Sequence, residues 1–481
     1  MDHTRPNNDQ TTTRLLSDWH SRLSDPKSNN QNKRDNPNYW ATDPSTLETT
    51  SHLHSLHFGT GHSIYAASIL PAIARAESEV ILVTCFWAPS PTLTALNGTL
   101  RALAARARSD GRTIRVRICF SSSSLWQKLT HTLSLQGQAW PPAKWARKLH
   151  LADPDELRGL DVEVKSVFVL PFSVMHPKFV LVDRRVAFLP SCNVSWERWF
   201  EGCVELSGPV VEQFVRFYLS FWEQAPVSSA STLPAPSLPP WQPQPPSHTR
   251  PAPLASRALP PLTSRHLPSL FLPSPHHLSP RPFLPPPPTP LNTFLLTTLL
   301  TSAHSTLYIQ TPNLTSAPFL SALLAAMARG VDVSITTSEK LMVLEQLVTL
   351  FTTTKRCVAR LVKAHRRLLQ TPSPDVEAGR VRTGRLKIAY YQPSRGAGRR
   401  DGGGRHGMED EEPVQSHLKL LLIDSHTAVF GSGNMDRASW YTSQELGVAI
   451  FSPDFVGTVT DSLEPIMEGR RRTVYDAPVS L

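Results

Sequence analysis

Two stretches of the chain carry the same reactive residues in the same order. The first holds His176, Lys178, Asp183, Ser191, Asn193 and Glu201, and the second His417, Lys419, Asp424, Ser432, Asn434 and Glu445. From histidine through asparagine the spacing is identical. It reads His-x-Lys, Asp five residues after the Lys, then after six more residues Gly or Pro, Ser, any residue, Asn. An imidazole can act as nucleophile or acid–base group near neutral pH, and a lysine two positions away brings a fixed cation beside it.

The residues between these groups are apolar and often β-branched: FVLV and AFL in the first stretch, LLLI and AVF in the second. That composition predicts two buried strands joined by a short turn. With Arg184-Arg185 and Ser425-His426 as two-residue turns, His176 faces Asn193 and Lys178 faces Ser191, while His417 faces Asn434 and Lys419 faces Ser432. Asp183 and Asp424 fall on the opposite face by alternation and read as supports at the hairpin ends. Four polar groups on one face of an apolar hairpin are costly unless satisfied or used. One such set could be chance; two with matched spacing are a duplication.

At these residues, about 176–209 and 417–453, the sequence resembles the phospholipase D superfamily, whose signature is the HKD motif followed by Gly-Ser-x-Asn. The first copy departs from it in carrying Pro190 and Cys192 where the second has Gly431 and Gly433, and Pro190 predicts a bulge in the first hairpin. The resemblance implies an α/β fold of two similar α/β/α units related by a pseudo-twofold axis, with one active site at their interface. Two histidines in one cleft can divide attack on phosphorus from protonation of the leaving alkoxide. By resemblance His176 is the nucleophile and His417 the general acid and then base. Lys178, Lys419, Asn193 and Asn434, with the Ser191 and Ser432 hydroxyls, would hold the phosphate oxygens, and Glu201 and Glu445 would orient the imidazoles. No cofactor or metal is called for.

Two fused motifs without another catalytic module resemble the cardiolipin synthase-like branch, which implies phosphodiester hydrolysis or transfer on phospholipids through a phosphohistidine. A nucleic-acid phosphodiesterase of the same superfamily is the alternative. A non-catalytic scaffold would be expected to have lost a motif. Trp196, Trp199, Phe200, Trp440 and Tyr441 follow the motifs and read first as core, with substrate contact as the other possibility.

The chain has 481 residues, a formal net charge of +10 and 45 prolines. The charge favours an anionic partner, a phospholipid surface or nucleic acid. Five cysteines without a CxxC spacing suggest neither a zinc site nor a disulfide framework, hence a reducing compartment. No signal peptide or transmembrane segment is recognisable, so the expectation is a cytoplasmic, peripherally membrane-associated monomer. His52, His54, His57 and His62 fit no compact ligand set and read as surface histidines.

The predicted organisation is a disordered tail over 1–45, a first unit over 46–223, a Pro-rich linker over 224–289, a second unit over 290–471 and a short tail over 472–481. The linker reads as a spacer, with SH3-like binding of its PxxP segments as an alternative. The second unit contains a Gly-rich insertion at about 394–412 and a basic stretch, 355–370, with helical periodicity. That stretch reads as a solvated helix face, with an anion-facing surface as the alternative.

Overall fold

The computed structural model describes residues 8–24, 37–123, 136–169, 173–224, 241–243, 251–260, 264–275, 288–339, 341, 352–371, 382–394 and 412–477. The first unit is built on seven strands, β1 (Glu48–Gly59), β2 (Glu79–Phe86), β3 (Ile114–Ser122), β4 (Leu160–Ser166), β5 (Phe179–Val182), β6 (Val186–Pro190) and β7 (Trp199–Ser207). The second repeats them as β8 (Leu267–Ser274), β9 (Thr306–Thr311), β10 (Asp332–Thr337), β11 (Leu386–Tyr391), β12 (Leu420–Ile423), β13 (Thr427–Gly431) and β14 (Glu445–Phe451), and adds β15 (Arg471–Asp476).

The strands pair in the same order in both halves. In the first, β4, β3 and β2 are parallel neighbours, β2 pairs antiparallel with β5, and β6, β7 and β1 continue antiparallel. In the second, β11, β10 and β9 are parallel neighbours, β9 pairs antiparallel with β12, and β13, β14 and β8 follow. The start of β1 pairs with β8, so the two halves share one continuous mixed sheet.

Among the described residues the longer helices are α1 (Asn8–Leu23), α2 (Pro91–Ser109), α3 (Val210–Tyr218), α4 (Pro290–Thr297), α5 (Ala317–Ala328), α6 (Thr354–Gln370) and α7 (Pro453–Met467). Three of them open on a hydroxyl cap followed by proline: Ser90-Pro91, Thr289-Pro290 and Ser452-Pro453. The hydroxyl satisfies an otherwise orphaned amide, and proline at N1 costs no hydrogen bond. Phe271 of β8 meets Phe214 and Phe217 of α3 edge-on, which carries the apolar core from one half into the other.

The boundaries differ from the expected ones in three places. Residues 8–23 form a helix instead of disordered tail, because Leu15, Trp19 and Leu23, four apart, share one buried face. The Trp19 indole also donates to the Pro290 carbonyl at 3.1 Å. The Pro-rich stretch is not all linker: Ala255–Ala258 pairs with β1, and β8 is the second half's counterpart of β1. Pro268 and Pro273 are accommodated near the ends of β8, where each is paired on one side only. Residues 471–476 extend the second sheet beside β11 and are not a tail. The Gly-rich insertion lies, but for its ends, outside the described residues.

Candidate active site

Each motif folds as a hairpin, β5–β6 or β12–β13, one residue out of the expected register. Val180 pairs with Phe188 and Leu420 with Phe430. The reason is the aspartate, which sits inside the turn. Asp183 and Arg184, and likewise Asp424 and Ser425, adopt left-handed backbone with φ of 51–54°, a region that aspartate tolerates better than most residues.

From there the Asp183 carboxylate accepts the backbone N–H groups of Glu77, Ser78 and Glu79 at the entry to β2. Asp424 accepts those of His304, Ser305 and Thr306 at the entry to β9. Both aspartates brace a neighbouring strand at the end of the hairpin remote from the histidines. Pro190 causes no bulge, since β6 pairs with β7 in unbroken register from Val186 to Pro190.

At the other end the halves interlock. The backbone N–H of His176 donates to the Gln444 carbonyl at 3.0 Å, and that of His417 to the Phe200 carbonyl at 2.9 Å. The side chains repeat the exchange. His176 Nδ1 lies 3.0 Å from the Glu445 carboxylate, and His417 Nδ1 lies 2.9 Å from Glu201 Oε1. Each imidazole is thus held by a carboxylate of the opposite half. Leu418, between His417 and Lys419, packs so closely on Gly202 that a Cβ there would lie 2.8 Å from its methyl.

Both serines serve these carboxylates and do not face the cleft as donors. Ser191 Oγ donates to Glu201 and accepts from the Gly202 amide at 3.0 Å, and Ser432 Oγ donates to Glu445 at 2.5 Å and accepts from the Leu446 amide at 3.0 Å. The expectation that the hydroxyls would bind phosphate is corrected accordingly, because both are buried and committed to glutamate.

The lysines are buried as well. Lys178 Nζ donates to the His176 carbonyl at 2.9 Å, and Lys419 Nζ to the His417 carbonyl at 2.8 Å. Lys419 Nζ also lies 2.8 Å from His417 Nε2. Asn193 Oδ1 accepts from the Phe86 amide at 3.2 Å. Asn434 Nδ2 donates to Asp436 at 3.1 Å, and its buried Oδ1 has no partner among the described residues.

Burial governs the protonation states. Desolvation depresses His176, and it depresses His417 to about 3 despite the nearby carboxylates. Lys419 falls to about 7 because it is buried and Lys178 stands near it. Burial, the largest influence on Glu201 and Glu445, works to raise them. It is outweighed by the partner histidines, Lys419 and Ser191 at Glu201, and Ser432 at Glu445, so both carboxyls are held below their ordinary value. The site holds two ionised carboxylates, each receiving an imidazole N–H, beside lysines poised for an anion.

The two histidines are not equivalent. The His176 side chain is 15% exposed and that of His417 4%. The Trp199 ring lies over His417, centroids 4.6 Å apart. Of the other aromatics, Phe200 and Trp440 are buried, while Trp196 is 64% exposed.

Sequence reasoning missed Thr84 and Thr311, which occupy matching positions on β2 and β9. Their hydroxyls accept the Val194 and Met435 amides just beyond each asparagine. Aligning VILVTCFW with LYIQTPNL between the two halves would have exposed the pair. His52, His54 and His57 lie along β1, where His54 bonds Ser207 at 2.7 Å and His57 lies between Ser55 and Ser256. All five cysteines are buried thiols. Among the described residues no helix is long and apolar enough to cross a membrane.

Comparison with known proteins adds a match to a family over part of the chain. Residues 296–467 match the family model described as cardiolipin synthase, PLD-like domain. No curated protein matches the chain. Among solved structures, phosphatidylserine synthase from Haemophilus influenzae Rd KW20 is 12% identical over 90% of this chain and 91% of that one, with a TM-score of 0.49. The phospholipase D family member Nuc from Salmonella typhimurium is 16% identical over 39% of this chain and 91% of its own, at a TM-score of 0.25. Polyphosphate kinase from Porphyromonas gingivalis is 11% identical over 86% and 48%, at 0.43. The second half carries the matched domain, and the first repeats its strand order and site residues.

Proposed function

We propose that the protein cleaves and remakes phospholipid phosphodiesters through a phosphohistidine, as a phospholipase D or a phosphatidyltransferase of the cardiolipin synthase type. The observation that carries this reading is the crossed pair of carboxylate-held imidazoles, His176–Glu445 and His417–Glu201, with both lysines beside them. A histidine whose Nδ1–H is held by a carboxylate presents Nε2 as a lone-pair nucleophile.

His176 is the nucleophile in this account, being the more exposed ring. Its Nε2 attacks phosphorus and the bond to the leaving alkoxide breaks. His417, protonated once the phosphate anion is beside it, gives its proton to that alkoxide. In the second step water or an alcohol attacks phosphorus, His417 takes its proton, and the phosphorus–nitrogen bond breaks. Lys178 and Lys419 neutralise the non-bridging oxygens, which lets the site stabilise charge where it develops.

Mass spectrometry of products from the full chain incubated with mixed phospholipids and a primary alcohol tests the reading, with His417→Ala as control. A phosphatidyl-alcohol or phosphatidic acid that the control lacks supports it. Cleavage of single-stranded DNA by a folded protein that leaves lipids intact would replace it with the nuclease alternative.

A further inference from the structure

The helix α6, TKRCVARLVKAHRRLLQ, contains six Lys and Arg and no Asp or Glu. All six, Lys355, Arg356, Arg360, Lys363, Arg366 and Arg367, are exposed. At about 100° per residue they fall within an arc of roughly 140°. The opposite side, Cys357, Val358, Leu361 and His365, is buried against the second unit. Lys355 pairs with Glu339 at 3.0 Å, and Arg366 lies over the Tyr475 ring at 5.4 Å. Arg356, Arg360, Lys363 and Arg367 form no ion pair among the described residues. By contrast Arg470, Arg471 and Arg472, on and beside β15, are each matched by a glutamate.

An apolar surface adjoins this face. Helix α5, APFLSALLAAMA, runs beside α6 and leaves Leu320 and Leu324 half-buried. Between the helices is a cleft of about 390 Å³ lined by Leu324, Ala364, Leu368 and Thr371, with Arg367 and Gln370 among its walls. A run of exposed cations, without ion pairs among the described residues and with apolar surface at its edge, suits a bilayer, where headgroups take the charges and acyl carbons the apolar part. It suits duplex nucleic acid less, since phosphate rails offer nothing to Leu320 and Leu324.

We propose that α6, with the adjoining edge of α5, is the surface by which the protein docks on an anionic lipid bilayer. This deepens the lipid reading of the active site, on which it rests, by naming the face that meets the substrate's phase.

The test is co-sedimentation of the full chain with vesicles of phosphatidylcholine alone and of phosphatidylcholine mixed with phosphatidylglycerol. His176→Ala serves as background so that lipid is not turned over. The variant is Arg356→Gln/Arg360→Gln/Lys363→Gln/Arg367→Gln, and the control Lys144→Gln/Arg147→Gln/Lys148→Gln removes exposed cations from the first unit. At about fivefold per neutralised charge near an anionic surface, the α6 variant should bind the mixed vesicles on the order of a hundredfold or more weaker. The control should keep its binding.

With His176 restored, the α6 variant should still cleave a soluble phosphodiester, bis(p-nitrophenyl) phosphate, at the unmodified rate, which separates failure of the surface from failure of the site. Equal vesicle binding by the α6 variant and its parent would overturn the proposal. So would equal losses in variant and control, or a folded parent that binds duplex DNA but not vesicles.

Discussion

Glu201 of the first half holds Nδ1 of His417 in the second at 2.9 Å, and Glu445 returns the contact to His176 at 3.0 Å. Neither half therefore contains a complete imidazole–carboxylate pair of its own. Replacing Glu201 with glutamine keeps the volume but removes the charge that fixes the His417 tautomer. The expected result is a fall in kcat on the order of 10² to 10⁴ with little change in KM. Steady-state kinetics beside a thermal melt will separate this from misfolding.

On the proposed mechanism Lys419 gives the protein a pH signature. Its ammonium is the form that would bind phosphate, and with its pKa lowered to about 7 that form is lost as pH rises through neutrality. The kcat/KM profile should show an alkaline limb near pH 7, and Lys419→Arg, charged throughout, should move that limb upward. Stability should run the other way. The unfolded lysine holds its proton to about 10.5 while the folded one releases it near 7, so between those values the unfolded state binds more protons and stability rises with pH. Urea titrations at pH 7 and pH 9 should show this rise, and Lys419→Met should remove it.

The motif aspartates are predicted to be structural. Asp424 accepts three backbone amides and the Ser305 hydroxyl from inside its turn. Asp424→Asn should cost about 2 kcal/mol in urea unfolding while the folded fraction retains kcat within a fewfold. A loss of kcat comparable to that of a histidine variant would instead place the aspartate in the chemistry.

Trp19 is fully buried and donates to Pro290. Trp19→Ala should destabilise the protein by about 3–5 kcal/mol and make residues 8–23 sensitive to protease. Unchanged stability would mean that the helix is not docked.

What was legible in the sequence follows from how local each signal is. The motif repeats were readable because the residues from histidine to asparagine lie on one hairpin, where spacing is geometry. Their register differs by one from the spacing-based expectation because left-handed backbone puts Asp183 and Asp424 within the turn and not beside it. The crossed carboxylates were beyond reach, since which glutamate meets which imidazole depends on how the halves pack. Leu15, Trp19 and Leu23 carried a helical signal that polar neighbours obscured. The strand β8 was hidden by proline-rich composition, although SLFL within it has a strand's character.

Accumulation of the covalent intermediate tests the central claim most directly. With His417→Ala the first step loses its acid and the second its base, so a brief incubation with a p-nitrophenyl ester of phosphatidic acid, whose leaving group needs no proton, followed by peptide mass spectrometry should find a phosphatidyl group on His176. The same adduct should be absent from His176→Ala. An adduct on His417 of the His176→Ala variant, with none on His176 of the His417→Ala variant, would contradict the assigned roles. Turnover of lipid without a histidine adduct in either variant would contradict the mechanism itself.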